Sequence, residues 1–191
     1  MLDFTGVNNG TQTIADVAAS LTKTNLYQLT DEMINTMQAI IADAIDADVS
    51  FEPQDPNAND PFSKPGEGAL PWSLGHVIVH TTASAEEAAT LALTLARGLS
   101  VEGRSRYETP WQSITTVAQV RQRLEESRRM RKALLDAWPD EPHLEVTYTL
   151  SQRLGTINAI GRFVTGLFHD TAHLEQLKEI MRQGRELHLR V

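Results

Sequence analysis

The stretch from Leu74 to Arg97, LGHVIVHTTASAEEAATLALTLAR, puts Ala, Leu, Val or Ile on most sides of a helical wheel and is bounded by Ser73 and Gly98. Ser is a favoured N-cap and Gly a favoured helix stop. A helix that is apolar nearly all round has to be enclosed by protein or by lipid. Lipid is excluded, since no apolar run reaches about 20 residues. The longest uncharged stretch, residues 69–85, contains Pro71, two histidines and several hydroxyls. The chain must therefore enclose this helix with its own elements.

Three more helical segments are available. Asn25 to Ala47 carries Leu26, Leu29, Met33, Met37, Ile40, Ile41 and Ala44 at amphipathic spacing. Thr116 to Ala137 places Val117, Val120, Leu124, Met130, Leu134 and Leu135 inward, with its Arg and Glu residues read as a solvated face. A last helix starts at Gly155 or Thr156 and runs to Gln183, before Gly184. Residues 48–71, with Pro53, Pro56, Pro61 and Pro65, and residues 99–115 are long irregular connections. LEVTYTL alternates like a short strand and equally fits an extended loop. The expected architecture is all-α: one domain over residues 1–191, a four-helix bundle with long connections between helices 1 and 2 and between helices 2 and 3, which permit non-neighbouring pairing.

A net charge of −8 argues against nucleic acid as a partner. The start, MLDFTGVNNG, lacks the basic and apolar regions of a secretory signal, so a cytoplasmic location is expected, with no membrane partner. There is no cysteine, so any thiol chemistry must use an external thiol.

Chemistry is signalled by histidine. Four of the six histidines fall in two pairs spaced four apart, His76 with His80 and His169 with His173. Residues so spaced stack on one helix face about 6 Å apart along the axis, and two imidazoles can then chelate one metal ion. His169 and His173 share a stripe with Gly166, Leu177 and Ile180, facing inward, while Glu175, Lys178, Glu179 and Arg182 lie opposite. His76, His80, Glu87 and Leu91 form a second stripe. Either pair alone reads more simply as core histidines satisfied by hydroxyls or carbonyls. Two inward pairs favour a shared metal, because it satisfies several buried imidazoles at once. HDTAH is close to the HExxH signature, but Asp170 is a methylene short of the general-base Glu and no further ligand motif follows, so a peptidase is not favoured. Asp170 is instead an outer-sphere acceptor or a surface residue, and His143 and His188 are read as surface residues.

PWSLGHVIVHTTASAEEA, with Trp72 and Ser73 opening the helix, and HDTAHLEQLKEI, with its H-x-x-x-H-x-x-Q pattern, resemble the DinB-like superfamily, which includes the YfiT-type and mycothiol-dependent isomerase branches. The order of four helices with a long loop before the second agrees over most of the chain. The resemblance implies a bundle holding one divalent ion, zinc or nickel, with His80, His169 and His173 as ligands. His76 has no counterpart in the pattern. It stands with Glu87 and Asp170 as a group that could support the ligands from behind, or as an alternative ligand. The resemblance also implies a homodimer and, in some branches, transferases or isomerases using a low-molecular-weight thiol.

Two functions follow. In the first, the ion is catalytic, and an open position takes water or thiol for transfer, isomerisation or, less favoured, hydrolysis of a small-molecule substrate. Arg104, Arg106 and Tyr107 on the second connection are then candidate anion contacts. In the second, the bundle is a non-catalytic metal-binding protein acting through dimerisation or a partner. A closed site with His76 as fourth ligand would mark that case.

Overall fold

A computed structural model describes residues 1–56, 58, 69–103 and 106–189. Two short helices, α1 (Thr5–Asn8) and α2 (Ile14–Ala18), precede α3 (Lys23–Ile40) and the single turn α4 (Asp46–Val49). Then come α5 (Leu74–Ala96), a 3-10 turn at Trp111–Ser113, α6 (Val117–Asp136), strands β1 (Tyr148–Ser151) and β2 (Gly155–Ile157), and α7 (Ala159–His188). The described chain is mostly helical, as expected of an all-α fold. Among the described residues no helix is long and apolar enough to cross a membrane.

The main contacts between long helices run α3 to α6, α6 to α5, α5 to α7 and α7 back to α3. The first two long helices, α3 and α5, thus pack chiefly on shared neighbours. α5 is enclosed as its composition demands, with Leu74, Val77, Ile78, Ala89, Ala92, Leu95 and Ala96 all buried. Ser73 Oγ accepts from the His76 amide at 3.3 Å, and Gly98 ends the helix at φ +80°. α6 opens on a reciprocal cap: Thr116 Oγ1 accepts from the Gln119 amide at 3.3 Å, and Gln119 Oε1 accepts from the Thr116 amide at 3.0 Å.

Several boundaries differ from the sequence reading. α3 begins two residues earlier, because Asn25 Oδ1 accepts from the Thr22 amide at 2.9 Å. It also stops at Ile40 instead of reaching Ala47. Asp43, Asp46 and Asp48 would otherwise put negative charge at a helix C-terminus, where the macrodipole opposes it. Asp48 Oδ2 instead accepts from the Ile45 amide at 2.9 Å and starts α4. Residues 148–157 form an antiparallel hairpin, with Gly155 at φ +88°. α7 therefore begins at Ala159 rather than at 155 or 156, and Asn158 Oδ1 caps it by accepting from the Gly161 amide at 3.1 Å. α7 runs through Gly184. A Cβ there would collide with the Asp48 carboxylate, so this glycine marks a close approach and not a stop. α1, with its N-cap Phe4, and α2 had no counterpart in the sequence reading, although Phe4, Val7, Ile14 and Ala18 join the core.

α6 corrects that reading further. Its inward stripe is Val120, Leu124, Ser127, Arg131 and Leu135, while Met130 is exposed. Arg131 is therefore not part of a solvated face. Its NH1 donates to Asp170 Oδ2 at 2.7 Å, its Nε donates to Ser127 Oγ at 3.0 Å, and both members of the ion pair are shut off from solvent. Asp170 is accordingly not a surface residue.

α5 and α7 come close together at Gly166, one turn before His169. A Cβ there would lie 2.9 Å from Ala88 Cβ and 3.0 Å from Ala85 Cα. Gly166→Val is expected to destabilise the fold by about 1–3 kcal/mol through overpacking, seen as a lowered thermal midpoint. An unchanged midpoint would mean the two helices can part at this turn.

Candidate metal centre

His80 on α5 and His169 and His173 on α7 meet where these helices pack. One ring nitrogen from each lies within 4.8 Å of the other two. His80 Nε2 is 3.1 Å from His169 Nε2, and the three ring centroids are 4.8–5.1 Å apart. His173 Nδ1–H donates to Gln176 Oε1 at 2.8 Å, which leaves the Nε2 lone pair of His173 directed into the cluster. Ser84 Oγ is 3.5 Å from His169 Nε2. His169 Nδ1 is buried and makes no hydrogen bond among the described residues.

The far side of His80 meets the connection between α5 and α6. An Arg106 terminal nitrogen donates to His80 Nδ1 at 2.8 Å and to the His80 carbonyl at 3.3 Å, and it pairs with Glu108. The Glu108 carboxylate is 3.8 Å from the same Nδ1. Because Arg106 donates into Nδ1, the proton of a neutral His80 is on Nε2 and points at His169.

Burial is the main cause that pushes His80 down to about 2, with repulsion from His169 and Arg106 adding to it. Burial, then His173, holds His169 at about 3, and burial also lowers His173. All three are therefore neutral at physiological pH, the state that ligates metal. An unfolded chain takes up protons on these residues below about pH 6.5, whereas the folded chain does not. The metal-free protein should thus lose stability as pH falls from about 6.5 toward the lowered values. Unfolding midpoints measured in chelator from pH 7.5 to 5 check this, and His80→Gln should show a shallower fall than wild type. Equal slopes would mean that His80 is protonated in the fold.

Two indoles wall the site. The Trp72 ring centroid, just before α5, is 4.5 Å from that of His76, 4.4 Å from His80 and 5.7 Å from His173. Trp111 stacks on His76 at 5.0 Å and 10°. His76 is thus held between two tryptophans and is not among the three converging imidazoles. Glu87 is buried elsewhere on α5, where its charge acts on Tyr148. Asp170 faces Arg131. Tyr107 is largely exposed, and Arg104 lies outside the described residues.

A cation between the three rings would engage a nitrogen lone pair from each of them at once, which the single N–H between His80 and His169 does not do. The donor set, all nitrogen and uncharged, suits a divalent transition-metal ion. A model described as the DinB superfamily matches residues 28–177. The chain belongs to the DinB superfamily. Neither the curated proteins nor the solved structures give a match. The DinB match takes in α5, α6 and all three histidines, while α1 and α2 precede it. Glu108 is a neighbour of the site that the sequence reading passed over, while Gln176, the last letter of the H-x-x-x-H-x-x-Q pattern, and Trp111, on the second connection, had no role assigned there. The spacing of three from His173 is what puts Gln176 within reach of the His173 ring.

Proposed function

We propose that this DinB chain is a metal-dependent enzyme. Its four long helices form a bundle, His80, His169 and His173 hold one zinc or nickel ion, and it uses an external low-molecular-weight thiol for group transfer or isomerisation. The observation that carries this reading is the convergence of three neutral imidazole nitrogens, from two different helices, within 4.8 Å. When bound, a divalent ion with three neutral ligands and an open position supplies Lewis acidity, which lowers the pKa of a thiol or water. The residues of the chain do the rest. Gln176 fixes the tautomer of His173 through Nδ1, and Trp72 lies against His80 and His173 to keep water from that side. The absence of cysteine agrees with a thiol drawn from solution.

His76 separates this reading from a closed, non-catalytic site. Its ring is stacked between Trp72 and Trp111, which supports three protein ligands over four. The test is a thiol panel of bacillithiol, mycothiol and glutathione with chlorinated and epoxide acceptors. Products are read by mass spectrometry for metal-loaded protein, metal-free protein and His173→Ala. Adducts formed only by the loaded wild type are the expected result. No adduct with any thiol, together with a fourth protein ligand seen by X-ray absorption, would return the chain to the binding-protein reading.

A further inference from the structure

We propose that Arg106 is a specificity-determining residue of this site, and that the small molecule it selects carries a carboxylate or an equivalent anion. This rests on the metal reading above. The guanidinium can only donate, so the contact with His80 Nδ1 keeps that nitrogen unprotonated and the ring proton on Nε2. A neutral His80 that ligates a metal through Nε2 carries its proton on Nδ1 instead. Arg106 and a ligating His80 are therefore incompatible at this hydrogen bond, whereas Glu108, 3.8 Å from Nδ1, is a suitable acceptor for the relocated proton.

Charge gives the second half. Three neutral ligands leave a bound dication uncompensated, and Arg106 adds a positive charge in a place only 18% exposed. Glu108 balances one of these charges. An incoming thiolate balances another, and an anionic group on the same molecule removes the remainder, matching a guanidinium that favours planar carboxylates. Arg106 lies on the connection between α5 and α6. Among the described residues its hydrogen bonds go to His80 and to Glu108.

The experiment uses full-length protein loaded with cobalt(II). It is titrated with mercaptoacetate and with 2-mercaptoethanol, which share a thiol and differ in the carboxylate, and the ligand-field spectrum gives each affinity. The wild-type ratio in favour of mercaptoacetate should fall roughly tenfold in Arg106→Gln and partly persist in Arg106→Lys. Zinc affinity of metal-free Arg106→Gln, measured by competition with a chromophoric chelator, should equal or exceed that of wild type, because a competing donor and a repelling charge are gone. An unchanged thiol ratio in Arg106→Gln, or a zinc affinity that falls, would overturn the proposal and leave Arg106 as a support for His80. Failure of the wild type to bind cobalt would instead overturn the metal centre, and this proposal with it.

Discussion

His169→Ala protein is expected to retain no divalent ion where wild type retains about one per chain, and His173→Ala and His80→Ala are expected to behave alike. On the proposed assignment three imidazoles supply the whole protein ligand set, so losing one would leave two nitrogens and a gap for water to fill. Each loss should exceed the roughly 10- to 100-fold weakening typical of a group that only supports a ligand. His76→Ala gives the internal contrast. Its ring stacks on Trp72 and Trp111 and is not one of the three converging imidazoles, so its loss should weaken binding within that 10- to 100-fold range and not abolish it. Elemental analysis after gel filtration, followed by zinc titration of metal-free protein, measures both. Stoichiometric metal in a His169→Ala/His173→Ala double variant would sink the assignment, and total loss in His76→Ala would make it a ligand.

Arg131→Met should be the most destabilising single change in the helical core, at about 3–5 kcal/mol, because it strands the Asp170 carboxylate away from water. The pair itself is not worth that much. Replacing both members, as in Arg131→Met/Asp170→Leu, removes two desolvated charges together and should recover most of the loss. The pH dependence has a definite sign. Burial pushes the Asp170 carboxyl up and Arg131 pulls it down. Without Arg131 only the upward push remains, so the folded variant favours protonated Asp170. Its stability should then be highest in acid and fall as pH rises above the ordinary carboxylate range. Denaturant melts of both variants from pH 4 to 7 check the cycle. An Arg131→Met deficit that grows as pH falls would contradict it.

The helices were legible where caps and periodicity agree. Ser73 and Gly98 bounded α5, and Thr116 opened α6, because a cap is a local interaction that sequence displays directly. What escaped was decided at a distance. Gly184 reads as a stop until Asp48 is seen pressed against it. Arg131 reads as one more arginine of a charged face until Asp170 is found opposite, 39 residues further along the chain. Residues 148–157 are too short for their alternation to outweigh a loop, and only pairing across Gly155 makes them strands. The histidines show the same division. Spacing supplied two equivalent pairs, while the choice of His80 over His76 came from family resemblance. In the fold that choice corresponds to a difference of one turn on α5, which brings His80 to α7 and His76 between two indoles.

His80 and His169 touch through their ring nitrogens although 89 residues separate them in the chain. A metal held jointly by α5 and α7 would therefore close a long loop, as a disulfide does, in a chain with no cysteine to form one. In the chain-entropy account, cross-linking a loop of this size restricts the unfolded ensemble by about 4–5 kcal/mol. By that route the ion would act as a reversible tether between the two halves of the chain, released by chelators instead of by reductants.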